Sequence, residues 1–274
     1  MARVEASDGV SLYAEAHGSG LPIVLSCALC TTHENYRPQV ETLAGAGLRV
    51  ILWDYRGHGL SESPGDPAAY TMEQVVDDLG RVLDWAVPGE PAVLAGLSFG
   101  GLTSLHFALA HPHRARALVL IDSGPGFKNP KAQAGWEKAV ARSAEHIETK
   151  GMQSFVKAAA PTAIGLRPEL PAAQAAARAI AAQDPRGLAL FARRIAGLAP
   201  PVIDRLGEID VPALVIVGER DEPYHRAAEV MAARLPRAEK VMIPRAGHIV
   251  NIEEEDAFNL ALVHFLDRIR APGA

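Results

Sequence analysis

The chain has 274 residues, 49% hydrophobic and 22% charged, proportions that exclude global disorder and a coiled coil. Its 27 basic and 32 acidic residues leave a formal net charge of −5, which excludes the basic field that a duplex nucleic-acid partner requires. Two cysteines, Cys27 and Cys30, cannot make a disulfide framework, and no stretch approaches the ~18 apolar residues of a membrane-spanning helix.

Met1 to Asp8 has no apolar run, so no secretory signal is predicted and a cytoplasmic location is expected. Two short strands are predicted at Val4 to Ala6 and Leu12 to Ala16, joined by Asp8-Gly9, a dipeptide suited to a hairpin. Compact apolar runs too short for helices follow at Pro22 to Ser26, Leu48 to Asp54, Ala92 to Leu97, Ala117 to Asp122 and Val211 to Gly218, with a weaker one at Glu239 to Ile243. Continuous apolar runs suit strands covered on both faces, as in a parallel sheet. Helical spacing recurs at Tyr36 to Ala46, Thr71 to Ala86, Phe99 to Ala110, Tyr224 to Leu235 and Asp256 to Ile269, and Thr71 with Gln74 reads as a capping box. Such alternation predicts an α/β fold with a doubly wound, mostly parallel, eight-stranded sheet.

The alternation stops between Phe127 and Leu206. That stretch is Ala-rich, lacks a strand pattern and is cut by Gly151, Pro161, Pro168, Pro171, Pro185, Pro200 and Pro201, which predicts several short helices. Both its ends lead into strands of the same sheet. Residues 1–126 and 207–274 are therefore expected to form the core and 127–206 a helical cap over one end of it.

Ala92 to Leu97 runs directly into Gly96-Leu97-Ser98-Phe99-Gly100, a Gly-x-Ser-x-Gly pattern between a strand and a helix. A sharp strand-to-helix turn lifts the serine into a strained backbone geometry, and the flanking glycines leave room for it. The start of the following helix turns N–H groups and the positive end of its dipole toward the site. A serine hydroxyl needs a neighbouring base. His248, in the glycine-preceded loop Pro244-Arg245-Ala246-Gly247-His248, can reach the same sheet edge. The base in turn needs an acid to hold its tautomer. Asp221, after Val217-Gly218-Glu219-Arg220, is the favoured candidate, with Asp122 and Glu222 as rivals. The chain order Ser, Asp, His is the one this kind of sheet uses.

Taken together, Gly96 to Gly100, Gly218 to Asp221 and Gly247-His248 resemble the α/β-hydrolase fold family across nearly the whole chain. Asp54-Tyr55-Arg56-Gly57-His58-Gly59-Leu60-Ser61 is similar to the family's turn after the fourth strand, with Arg56 expected to pair with a carboxylate as scaffolding. The family's His-Gly in the loop after the third strand is replaced here by Cys27-Ala28. The segment Val24 to Leu29 resembles that of 3-oxoadipate enol-lactonases and related esterases. The hole for a developing oxyanion uses backbone N–H groups, so side chains there can change. The resemblance assigns those donors to Leu29 and Phe99.

These readings imply a serine hydrolase that cleaves a carboxylic ester or lactone of a small, largely apolar substrate through Ser98, His248 and Asp221. The same triad serves carbon–carbon bond hydrolysis or cofactor-free perhydrolysis in relatives, and some relatives have become small-molecule receptors. No phosphate loop or dinucleotide fingerprint is present, so no cofactor is expected. Cys27-Ala28-Leu29-Cys30 lacks the further ligands of a zinc site, so no metal is expected either. The expected partner is a small-molecule ester or lactone, without nucleic acid or membrane, and a homodimer is left open. Trp136, Phe155 and Phe191 are candidate pocket walls, and Arg193-Arg194 could meet a substrate carboxylate, although a solvated helix face is the favoured reading of that pair.

Overall fold

The computed structural model describes residues 1–270. Residues 271–274, which close the expected core segment, lie outside the described residues. Eight strands form one sheet: β1 Ala2–Glu5, β2 Ser11–His17, β3 Leu21–Ser26, β4 Leu48–Trp53, β5 Ala92–Leu97, β6 Ala115–Ile121, β7 Ala213–Gly218 and β8 Ala238–Ile243. Their order across the sheet is β1-β2-β4-β3-β5-β6-β7-β8. β1 and β2 are antiparallel to their neighbours and the other pairs are parallel. The antiparallel start follows from Asp8-Gly9: Gly9 takes φ 86°, and its N–H donates to Ala6 O at 3.0 Å. The parallel strands need helical crossovers, which bury both faces. β5 is accordingly buried at all six positions.

The crossover helices of the core are α1 Arg37–Gly45, α2 Met72–Ala86 and α3 Phe99–Ala110. α2 begins as its sequence dictates, since the Thr71 hydroxyl accepts from Gln74 N–H at 3.2 Å while the Gln74 side chain accepts from Thr71 N–H at 3.1 Å. α3 stops at His111, whose successor Pro112 disfavours helical geometry in the residue before it.

Between β6 and β7 lie α4 Pro130–Lys150, α5 Met152–Ala158, α6 Ala160–Ala163, α7 Pro171–Ala181 and α8 Pro185–Phe191, followed by a π-helical turn at Ala192–Ala196. No strand occurs there among the described residues. α4 departs from the expectation of short helices by running for 21 residues. It passes through Gly135, where a side chain would meet nothing within 4 Å, and ends at Gly151, whose φ of 78° breaks the helical path. The core closes with α9 Glu222–Arg234, α10 Val250–Glu253 and α11 Glu255–Arg270. α9 starts two residues earlier than the periodicity predicts, because Pro223 fits a helix's first turn, where its missing N–H has no intrahelical partner.

Arg56 is fully buried in the turn after β4. It donates to Asp78 on α2 at 2.6 and 2.7 Å and to Asp8 of the first hairpin at 2.7 Å, so one guanidinium ties three segments together. Removing one partner of such a group leaves a buried charge uncompensated. Arg56→Leu is expected to lower unfolding free energy by about 3–5 kcal/mol in urea titration. A loss below about 1 kcal/mol, the ordinary scale of an exposed pair, would contradict that role.

Candidate active site

Ser98 joins β5 to α3 with φ 54° and ψ −113°, a sparsely populated geometry that costs of order 1–3 kcal/mol. Two close approaches explain the glycines around it. A Cβ on Gly96 would lie 2.1 Å from the Gly100 carbonyl, and one on Gly100 would lie 2.1 Å from the Ser26 carbonyl oxygen. Hydrogen bonds fix the turn from the neighbouring strand: Ser98 N–H donates to Ile121 O at 2.8 Å, and the Ser123 hydroxyl donates to Ser98 O at 2.6 Å. Phe99 is the first residue of α3, where N–H groups have no intrahelical acceptor.

His248 follows β8 in a short loop, and its Nδ1 lies 2.7 Å from Asp221 Oδ2, with both side chains buried. The bond suits a tautomer with the proton on Nδ1. The loop is itself clamped. The Glu253 carboxylate accepts from Gly247 N–H at 2.8 Å and from Ile249 N–H at 3.1 Å, one on each side of His248. The loop carrying Asp221 is tied to it as well, through Arg220 N–H to Ala246 O at 2.8 Å and Glu219 N–H to Ile243 O at 2.9 Å.

Asp122, the rival acid, lies in the same cluster: ligand atoms of Asp122, Asp221 and His248 fall within 4.8 Å of one another. Its Oδ1 accepts from Gly218 N–H at 2.8 Å, bracing the end of β6 against the end of β7. Burial pushes the Asp122 carboxyl well above the usual carboxylate range, the Gly218 N–H opposes this, and Asp221 beside it adds to the rise. Asp122, Asp221 and His248 are also the single cluster of candidate metal ligands among the described residues, but the His248–Asp221 hydrogen bond already engages the facing atoms of two of them.

The Ser98 hydroxyl meets the Tyr224 hydroxyl at 3.3 Å rather than His248. The Tyr224 ring in turn lies 4.8 Å from the His248 ring, tilted by 35°. Burial pushes the Tyr224 phenol up to about 12, so it stays protonated at neutral pH. A cavity of about 310 Å³ opens over Ser98, and its lining includes Leu29, Phe99, Leu102, Trp136 and Tyr224 but no charged side chain among the described residues. Of the three candidate wall aromatics only Trp136 lines it, with its indole N–H held by Ala196 O at 2.7 Å. Phe191 packs beneath, 5.3 Å from the Phe99 ring, and Phe155 belongs to the apolar cluster on the other side of the sheet. Arg193 is bound to Glu148 at 2.6 and 2.7 Å, and Arg194 is exposed; neither lines the cavity.

The loop bearing Leu29 rests on His58. Cys30 N–H, at a residue with φ 63°, donates to His58 Nε2 at 3.1 Å. Burial pulls His58 down to about 4, which keeps that nitrogen an acceptor. The thiols of Cys27 and Cys30 are buried and free, and burial pushes both up, Cys30 to about 12.

Residues 22–255 match the model of the alpha/beta hydrolase fold, and the chain belongs to that family. It is 31% identical over 279 residues to a Variovorax paradoxus protein named "Putative carbamate hydrolase RutD", covering 96% of this chain and 98% of that one. Among solved structures, it superposes on the enol-lactonase of Burkholderia xenovorans with TM-score 0.83 at 29% identity, over 97% of this chain and 100% of that one. A thermophilic esterase from Thermogutta terrifontis gives TM-score 0.86 at 27% identity, over 98% and 99% of the two chains.

Tyr224 and Glu253 were not anticipated from the sequence. Tyr224 stands three residues past the acid at a helix start, and Glu253 five residues past the histidine, spacings that acquire meaning only once both loops are seen to converge. The raised Asp122 carboxyl has a stability consequence. The folded chain holds this proton more tightly than the unfolded chain, so its contribution to stability falls as pH climbs above the unfolded value of about 4. Asp122→Asn removes that loss, and the variant's melting temperature relative to the parent is expected to be higher at pH 8 than at pH 4.5. An equal difference at the two pH values would contradict a raised Asp122 carboxyl.

Proposed function

We propose that the chain cleaves uncharged carboxylic esters through an acyl-enzyme formed on Ser98. His248 takes the Ser98 proton as the hydroxyl attacks the carbonyl carbon, and Asp221 holds the imidazole and balances its charge. The backbone N–H groups of Leu29 and Phe99 receive the developing oxyanion, where a single donor is worth about 10²–10³ in turnover. His248 then protonates the leaving alcohol. Water attacks the acyl-enzyme with the same residues in reversed roles, returning the proton to Ser98. The observation that carries this reading is the buried 2.7 Å pair of His248 and Asp221, whose imidazole and the Ser98 hydroxyl meet the same tyrosine. As the attack begins, Ser98 Oγ exchanges the Tyr224 hydroxyl for the neighbouring imidazole, which packs against the same tyrosine ring.

Substrate preference follows from the cavity. About 310 Å³ with an apolar wall suits an acyl or alcohol group of modest size. A dianionic lactone would bring carboxylates into a space without a cationic partner, and burying an unpaired charge is strongly unfavourable. Neutral esters and lactones are therefore the proposed class, with residues 127–206 as the roof over them. The relative named for carbamate hydrolysis supports a second reading, a neutral carbamate, whose carbonyl carbon presents the same target to Ser98.

Ser98→Ala is expected to lower kcat for a short-chain neutral ester by about a millionfold, with the melting temperature of the parent kept, because alanine retains the Cβ and the backbone geometry of the turn. Steady-state assays beside a thermal melt check both. A variant retaining most of the parent's turnover would remove the nucleophile assignment.

A further inference from the structure

Given Ser98 as nucleophile, as proposed above, the position of Tyr224 has a chemical consequence. Its hydroxyl lies 3.3 Å from Ser98 Oγ inside the cavity, and its ring packs against the His248 ring. When Ser98 has attacked, the tetrahedral carbon carries three substituents besides Oγ: the oxyanion, the acyl chain and the leaving oxygen. The oxyanion turns toward the N–H groups of Leu29 and Phe99. The leaving oxygen turns toward the imidazole that protonates it. A hydroxyl on the imidazole side, within hydrogen-bond distance of Oγ, is close enough to reach an oxygen bonded to the same carbon.

We infer that Tyr224 is a catalytic residue that donates a hydrogen bond to the leaving oxygen as its bond to the acyl carbon breaks. The phenol keeps its proton throughout. The transferred proton comes from His248, and Tyr224 steadies the negative charge that builds on the leaving oxygen before that proton arrives. Before attack, the same hydroxyl rests on Ser98 Oγ, and it is released when that oxygen turns to the imidazole packed beside the tyrosine ring. In a largely apolar cavity such a bond, made to a developing charge, is stronger than in water.

The assistance matters only for a leaving group that needs it. A p-nitrophenolate departs without help, whereas an alkoxide does not. The test compares kcat/KM of the parent and Tyr224→Phe for the p-nitrophenyl and the ethyl ester of one short-chain neutral acid. The ratio kcat/KM reports acylation, the step in which this oxygen leaves. The expected result is a loss of about ten- to a hundredfold for the ethyl ester, the scale of one hydrogen bond to a charged group, and less than about threefold for the p-nitrophenyl ester. Retained p-nitrophenyl activity also shows that the variant is folded. An equal loss with both esters would overturn the inference by showing that Tyr224 merely holds Ser98, His248 or the cavity. A gain with both would overturn it by showing a brake that keeps Ser98 from its base, and no change with either would overturn it outright. If instead Ser98→Ala hydrolyses both esters as fast as the parent does, it is the nucleophile assignment that fails.

Discussion

Everything at this site depends on how closely two stretches of main chain can approach. Gly96 and Gly100 touch, and Gly100 sits against the carbonyl of Ser26 at the end of β3. No side chain fits in either gap. That crowding lets β5 turn into α3 within a few residues and lifts Ser98 into a positive-φ geometry at the sheet's edge. It also brings the loop after β3, with Leu29, over the first turn of α3. The strain at Ser98 persists because the surrounding bonds over-determine it: one from Ser98 N–H to β6 and one from Ser123 to the Ser98 carbonyl.

The second half of the site is assembled from three loops that brace one another. Glu253 fixes the loop of His248 by accepting from the amides on either side of it. Main-chain bonds from Glu219 and Arg220 couple that loop to the one bearing Asp221. Asp122 reaches across from β6 to the Gly218 amide, and burial holds its carboxyl well above the usual carboxylate range. The two carboxyl groups differ in what they hold: Asp221 bonds the His248 ring, and Asp122 braces the strand ends. Trp136 of α4 and the π-helical turn that includes Ala196 contribute the remaining wall. Such turns open a helix by one residue and recur at functional sites.

Much of this could be read from the sequence, for identifiable reasons. Strands such as Ala92–Leu97 and Ala213–Gly218 are apolar throughout because both faces are covered, so they stand out from the helical spacing between them. Ser98 was legible because the glycines its turn demands leave a fixed pattern. The stretch between β6 and β7 was legible as helical but not in its lengths, since α4 runs unbroken for 21 residues to Gly151 where short helices were expected. The choice between Asp221 and Asp122 could only be ranked, because their common cluster arises from the pairing of β6 with β7, a contact between residues about a hundred positions apart. The direction of aromatic side chains in the cap was likewise hidden: composition offered Trp136, Phe155 and Phe191 equally, and packing admitted only the first to the cavity.

The central claim is that one activated hydroxyl carries the acyl group. It is tested most directly by treating the protein with a serine-directed fluorophosphonate, then weighing the intact chain and mapping its proteolytic fragments. The expected result is one adduct per chain, on the fragment containing Ser98, with competition by a neutral short-chain ester slowing its formation. An unmodified chain, or an adduct at another residue with Ser98 untouched, would contradict it.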